Sequence, residues 1–157
     1  MTSPDGALID TNIIIYARER DSRDPRSRAA ARLLEKMIEA DSAVLSTQVL
    51  LETCDVLVRG ARPCDRQDAI DTVVALGGIC RVLPTGADTL GLAFACARHH
   101  GLRIFDATIW AAAAEAGISF VLSEDFGHRR VIGGVTFLDP FAPDFAPDEI
   151  GLTGLEP

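Results

Sequence analysis

Short apolar runs alternate along this chain with longer stretches in which apolar residues recur every three or four positions. Ala7-Leu8-Ile9 is the first run and ends at Asp10; Ile13-Ile14-Ile15-Tyr16 follows, as a turn leading into a short helix. From Pro25 to Ala40, residues Ala30, Leu33, Leu34, Met37 and Ile38 fall on one helical face, and Pro25 stands near the start, where its missing N–H is harmless. Ala43 to Ser46 predicts a second strand, after which Ser46 or Thr47 caps a helix reaching about Val58, before Gly60. A strand feeding a helix in this way predicts a parallel crossover. The pattern then predicts a helix over Asp65 to Leu76, a strand over Ile79 to Leu83, and a helix over Gly86 to His100 closed by Gly101. An alanine-rich helix follows, capped by Asp106, running to Glu115 and closed by Gly117, with strands over Phe120 to Ser123 and Val135 to Leu138. This alternation predicts a three-layer α/β domain, a mostly parallel central sheet flanked by helices.

Composition narrows the class. With 157 residues, 48% apolar and 24% charged, the chain has the balance of one ordinary globular domain rather than a disordered or fibrous one. Its longest apolar stretches, such as Thr108 to Ala114, fall far short of the ~20 residues that span a bilayer, so no membrane helix is expected. The segment Met1 to Gly6 lacks the basic and apolar regions of a secretory signal, and the expected location is the cytoplasm. Cys54, Cys64, Cys80 and Cys96 form no C-x-x-C pair and stand at no zinc-ligand spacing from His99, His100 or His128, so they are expected to be buried and reduced.

The net charge of −8, from 15 basic and 23 acidic residues, does not favour nonspecific nucleic-acid binding through phosphate neutralisation. A site for divalent cations, however, needs concentrated carboxylates. All the basic residues but Lys36 are arginine, the better bidentate ligand for phosphate.

Ligands of an open α/β sheet bind at the carboxyl ends of its strands. Asp10 ends the first predicted strand, Glu52 lies just beyond the second, Asp125 follows the Phe120 to Ser123 strand, and Asp106 opens a helix whose start can point at the same crevice. Each has a structural explanation by itself. Asp10 and Asp125 suit turns that bond their own backbone, and Asp106 suits a helix cap worth about 1 kcal/mol. Gln48, Glu52, Asp55 and Arg59 share one polar stripe, so Glu52 can be solvated and Asp55 can pair with Arg59 one turn on. Together the four acids point elsewhere, because carboxylates 4 Å apart repel by roughly 4 kcal/mol per pair at an effective dielectric of 20. A cation relieves that repulsion. Oxygen ligands alone suit Mg²⁺, with Mn²⁺ as a substitute, and one or two such ions can polarise a phosphodiester and activate water against it.

Asp10-Thr11-Asn12, Ser46-Thr47-Gln48-Val49-Leu50-Leu51-Glu52, Phe105-Asp106-Ala107 and Ser123-Glu124-Asp125 occur in the order and at the separations seen in PIN-domain ribonucleases, and the chain resembles the VapC-type toxins of that family. Val131-Ile132-Gly133-Gly134-Val135 and Asp139-Pro140-Phe141 resemble the family's closing segment, although asparagine is commoner where Asp139 stands. The resemblance covers about Leu8 to Phe141. It implies a PIN domain over residues 1–141, with Asp10, Glu52, Asp106 and Asp125 holding the metal and Thr11, Asn12 and Ser123 orienting them; Glu124 is a possible additional acid, since either it or Asp125 can face the ion. It also implies RNA as substrate, a bacterial toxin role, a cognate antitoxin and a homodimer. Residues 142–157, with Phe-Ala-Pro-Asp twice over, read as a tail lying on the surface or mobile, without a catalytic role.

Other classes fit less well. A receiver-type signalling domain or a haloacid-dehalogenase-like phosphatase needs a lysine near its acids, and Lys36 lies mid-helix, far from any predicted strand end. A catalytically silent RNA- or protein-binding module of the same fold is expected to have lost one or more of the four acids, and all are present. Neither G-x-G-x-x-G nor G-x-x-x-x-G-K-[ST] occurs, which leaves nucleotide cofactors unsupported. RNA specificity is expected from loop arginines such as Arg18, Arg20, Arg23, Arg129 and Arg130.

Overall fold

In a computed structural model that describes residues 6–19 and 23–154, Ala7, Leu8 and Ile9 of strand β1 (Ala7–Ile9) are all fully buried. Successive strand residues face opposite sides of a sheet, so burial of all three requires layers on both faces. The remaining strands are β2 (Ala43–Ser46), β3 (Arg81–Leu83), β4 (Phe120–Leu122), β5 (Arg130–Ile132) and β6 (Val135–Leu138). They form one sheet in the order β3-β2-β1-β4-β6-β5. All neighbours are parallel except β5 and β6. Helices α1 (Thr11–Arg18), α2 (Pro25–Glu39), α3 (Thr47–Arg59), α4 (Arg66–Ile79), α5 (Ala87–His100) and α6 (Ile104–Glu115) complete a three-layer α/β arrangement.

The expected elements form close to where short-range chemistry puts them. Ser46 caps α3 by accepting from Val49 N at 3.2 Å, Pro25 occupies the first turn of α2, and Gly101 ends α5 in the left-handed conformation. Three details differ. Helix α6 begins at Ile104 with Arg103 as its N-cap, so Asp106 lies in the first turn and is not the cap. Arg103 takes the extended cap backbone (φ −62°, ψ 151°) and its carbonyl accepts from Ala107 N at 2.9 Å, starting the helix before Asp106 is reached. Helix α4 runs on through Ile79, which is exposed, leaving β3 only Arg81 to Leu83.

The third difference is β5, not expected as a strand. Gly133 and Gly134 both have positive φ, as a two-residue hairpin turn requires, and the turn folds Arg130–Ile132 antiparallel onto β6. Trp110 of α6 secures the hairpin by donating its indole N–H to Ile132 O at 2.8 Å.

The four cysteines are unpaired, as expected, but only Cys96 is buried; Cys54, Cys64 and Cys80 are half-buried. Beyond β6, Asp139 accepts from Phe141 N at 2.8 Å in a tight turn, which gives that side chain a structural task. The following segment lies across the domain. Phe141 packs edge-on against Tyr16 with ring centroids 5.3 Å apart, Ile150 and Leu152 are buried in the core, and Arg129 donates to Asp144 and Glu149 at 2.7 Å each.

Candidate active site

Strand β1 lies at the centre of the sheet, with the connections running outward from it to β2 and β3 on one side and with β4 and β6 on the other. At such a reversal the loops leaving neighbouring strands diverge and open a crevice at the carboxyl ends. The loops leaving β1 and β4 carry Asp10 and the Ser123-Glu124-Asp125 segment, which strand pairing sets side by side: Ile9 is in register with Leu122.

Asp10 is buried, with 6% of its surface exposed. Its Oδ1 accepts from Thr11 N at 2.7 Å and its Oδ2 from Ser123 Oγ at 2.7 Å. Burial raises its pKa to about 6; the two hydrogen bonds oppose the rise, and the charges of Glu52 and Asp125 add to it. Glu52, in the second turn of α3, accepts from Thr11 Oγ1 at 3.3 Å and Gln48 Nε2 at 3.4 Å. Asp125 accepts from Asn12 Nδ2 at 3.1 Å, while its own backbone N–H donates to Ser123 Oγ at 3.1 Å. Asp106 is gripped by Arg103, whose Nε and terminal nitrogen donate to its two oxygens at 2.9 and 3.2 Å.

All four acids line one crevice of about 350 Å³, together with Thr11, Asn12, Tyr16, Glu19 and Arg103. Ser123 does not line it but holds Asp10 from behind. Among the described residues, no three His, Cys, Asp or Glu side chains are placed as a ready-made ion site. Ser123, Asn12 and Arg103 each donate to one of the carboxylates, and Thr11 bridges Asp10 and Glu52. Burial, more than repulsion from Glu52 and Asp125, is what raises the Asp10 pKa. The donor set nevertheless fits Mg²⁺ or Mn²⁺. It is all oxygen, and Asn12 Oδ1 and Gln48 Oε1, beside Asp125 and Glu52, are buried acceptors with no hydrogen-bond partner.

Glu124 does not line the crevice. Tyr16 Oη donates to it at 2.9 Å and Arg26 at 3.0 Å, and the Arg26 guanidinium lies 4.5 Å from the Tyr16 ring centroid. Burial and the Glu124 carboxylate push the Tyr16 phenol up to about 12. Of the two adjacent acids, Asp125 is the one that faces the crevice.

None of the described loop arginines singled out in the sequence lines it. Arg129 and Arg130 bind the tail and His100 O, Arg18 and Arg23 are exposed elsewhere, and Arg20 lies outside the described residues. The arginine that does is Arg103, which sequence reasoning missed; its place three residues before Asp106 was the available signal. As for the remaining stripe on α3, Asp55 pairs with Arg59 as expected.

The PIN domain model matches residues 7–133. The chain belongs to the PIN domain family. No curated protein sequence is significantly similar to it. Among solved structures, this PIN domain is similar to VapC20 of Mycobacterium tuberculosis, described as a sarcin-ricin-loop-cleaving toxin, with 24% identity and a TM-score of 0.63 over 77% of this chain and 92% of the other. It is also similar to a chain of a toxin–antitoxin complex from Klebsiella pneumoniae (21% identity, TM-score 0.64, 87% and 98% covered). A third is a chain of VapBC2 from Rickettsia felis, solved bound to a promoter DNA fragment (15% identity, TM-score 0.60, 83% and 96% covered). At these identities the likeness is one of fold.

Proposed function

We propose that this PIN domain is a Mg²⁺- or Mn²⁺-dependent endoribonuclease, the toxin of a bacterial toxin–antitoxin pair working in the cytoplasm. The observation that carries the reading is the gathering of Asp10, Glu52, Asp106 and Asp125, from four separate stretches of chain, on one crevice at the strand reversal of a PIN fold. These four would hold the ion. When bound, the ion supplies the Lewis acidity that phosphodiester hydrolysis needs.

The chain's own groups do the rest. Ser123 and the Thr11 N–H point the Asp10 carboxylate into the crevice, Thr11 Oγ1 and Gln48 steady Glu52, and Asn12 steady Asp125. Glu124, tied to Tyr16 and Arg26, anchors the loop that presents Asp125. Residues 142–157 are given no part in the chemistry.

A partner is supported by a second groove, of about 630 Å³, that shares Glu52 with the crevice and carries the exposed side chains of Leu51, Leu90, Ile104 and Phe105. Apolar surface beside an acidic site suits an antitoxin segment that lays apolar side chains in the groove and a basic one among the carboxylates. The exposed Val74, Ile79 and Phe94 add helix surface suited to a homodimer.

The purified protein is expected to cleave RNA with Mg²⁺ or Mn²⁺ and to stop when EDTA is added. Full activity in EDTA refutes the metal mechanism. If expression leaves host growth untouched and no partner co-purifies, the toxin reading falls while the nuclease reading stands.

A further inference from the structure

Arg103 is the only cationic side chain among the described residues that line the acidic crevice. Its backbone sits in the extended N-cap position of α6 and makes no side-chain cap bond, so the helix start places the residue while its guanidinium takes a partner in the crevice. That partner is Asp106. Nε at 2.9 Å and the terminal nitrogen at 3.2 Å bind its two separate oxygens, a fork-on-fork pair. The side chain of Arg103 is 76% exposed while that of Asp106 is 16% exposed, so the cation reaches from solvent onto a mostly covered acid. Asp125 and Glu52 add their field to its position.

Three properties follow from this placement. An ion pair with one partner this exposed exchanges readily. A phosphate offers the guanidinium the same pair of oxygens that the carboxylate does. And a divalent ion that engages Asp106 draws on the same two oxygens and repels the guanidinium's charge, so it weakens the hold of Arg103 there.

We propose that Arg103 is an exchangeable clamp: its guanidinium holds Asp106 while the crevice is empty of ion and RNA, and passes to an RNA phosphate when Asp106 engages a divalent cation. The proposal rests on the nuclease reading above and adds to it a substrate-binding residue and a coupling. RNA draws the guanidinium away from Asp106 and so strengthens ion binding, and by reciprocity the ion strengthens RNA binding. In the metal-free protein the clamp keeps the mostly covered Asp106 charge neutralised.

Calorimetric titration with Mn²⁺ alone, followed by steady-state cleavage of a single-stranded RNA at several KCl concentrations, tests this on the parent, R103Q and R103K. R103Q is expected to bind Mn²⁺ about three- to tenfold more tightly than the parent, because the competing cation is gone. Its KM for RNA is expected to rise about tenfold with the loss of a charge-assisted phosphate contact, while kcat changes less. The slope of log KM against log KCl should fall by about 0.7, the release expected for one contact to a single strand. R103K keeps the charge but not the fork and should restore the salt slope with only part of the KM. An unchanged Mn²⁺ affinity and KM in R103Q overturns the clamp and leaves Arg103 a surface partner of Asp106. Weaker Mn²⁺ binding in R103Q also overturns it, since Arg103 then holds Asp106 in place for the ion. A parent that neither binds Mn²⁺ nor cleaves RNA takes the nuclease reading down together with the clamp.

Discussion

Replacing Asp10 by asparagine separates a functional carboxylate from a structural one. In the folded protein the Asp10 pKa stands at about 6 against an ordinary 3.8. That difference corresponds to roughly 3 kcal/mol of penalty on the ionised form, and Asp10 is buried enough for it to count in full. The sign follows from proton binding. Between about pH 4 and pH 6 the unfolded chain has released this proton while the folded chain still holds it, so the contribution of Asp10 to stability declines as pH rises through that window and is fully lost above it. Asparagine carries no such penalty, keeps an oxygen for Thr11 N and can donate to Ser123 Oγ, so the local cap survives. The metal-free variant is therefore expected to match the parent near pH 4 and to exceed it by up to about 3 kcal/mol at pH 7.5. At about 2–4 °C per kcal/mol for a chain of this size, the Tm gap should open by several degrees. Added Mn²⁺ should then raise the parent's Tm by mass action and the variant's by much less. The assay is thermal melting in EDTA at pH 4 and pH 7.5, repeated at pH 7.5 in millimolar Mn²⁺. A variant that melts several degrees below the parent at both pH values, yet keeps the full Mn²⁺ shift, refutes the reasoning and makes Asp10 a turn residue.

Two further outcomes follow. Glu124→Gln, which keeps an acceptor for Tyr16, should leave RNA cleavage within a few-fold of the parent, whereas Asp125→Asn should lower it by about a hundredfold or more; equal losses in a cleavage assay would contradict the assignment of Asp125 as the inward acid. Ile150→Ala should cost about 2–5 kcal/mol in denaturant unfolding, because this residue of the carboxyl-terminal segment is buried against the domain core; a change below about 0.5 kcal/mol would show that the segment does not pack on the domain in solution.

Much of this molecule is determined by interactions that reach only a few residues, and those were legible in the chain. Ala7-Leu8-Ile9 can be buried on both faces only as an inner strand, Ser46 and Gly101 end or begin helices through their own backbone chemistry, and acids placed directly after such strands arrive at the carboxyl edge of a sheet whatever the details. The mostly parallel sheet and the candidacy of Asp10, Glu52, Asp106 and Asp125 follow from that level together with the family's motifs, whereas the strand order came only with the structure. Tertiary structure decided which neighbour faces which way. Asn12 meets Asp125 across 113 residues and Arg26 meets Glu124 across 98, and no local pattern says which of two adjacent acids each will take. The start of α6 two residues before Asp106 is what turns Arg103 into a crevice residue, and that boundary depends on where the backbone can bend after Gly101 rather than on the capping preference of aspartate. The double glycine at 133–134 permits a tight hairpin, and Trp110, on a helix more than twenty residues earlier, secures it by donating its indole N–H to the strand before the turn. The phenylalanines and aliphatic residues of the proline-rich tail found a core already built, a choice made by surface left uncovered elsewhere in the fold. Short-range preferences are carried by each segment alone, whereas the orientation of a charged side chain is set by whichever donor, from anywhere in the chain, lies nearest once the layers have packed.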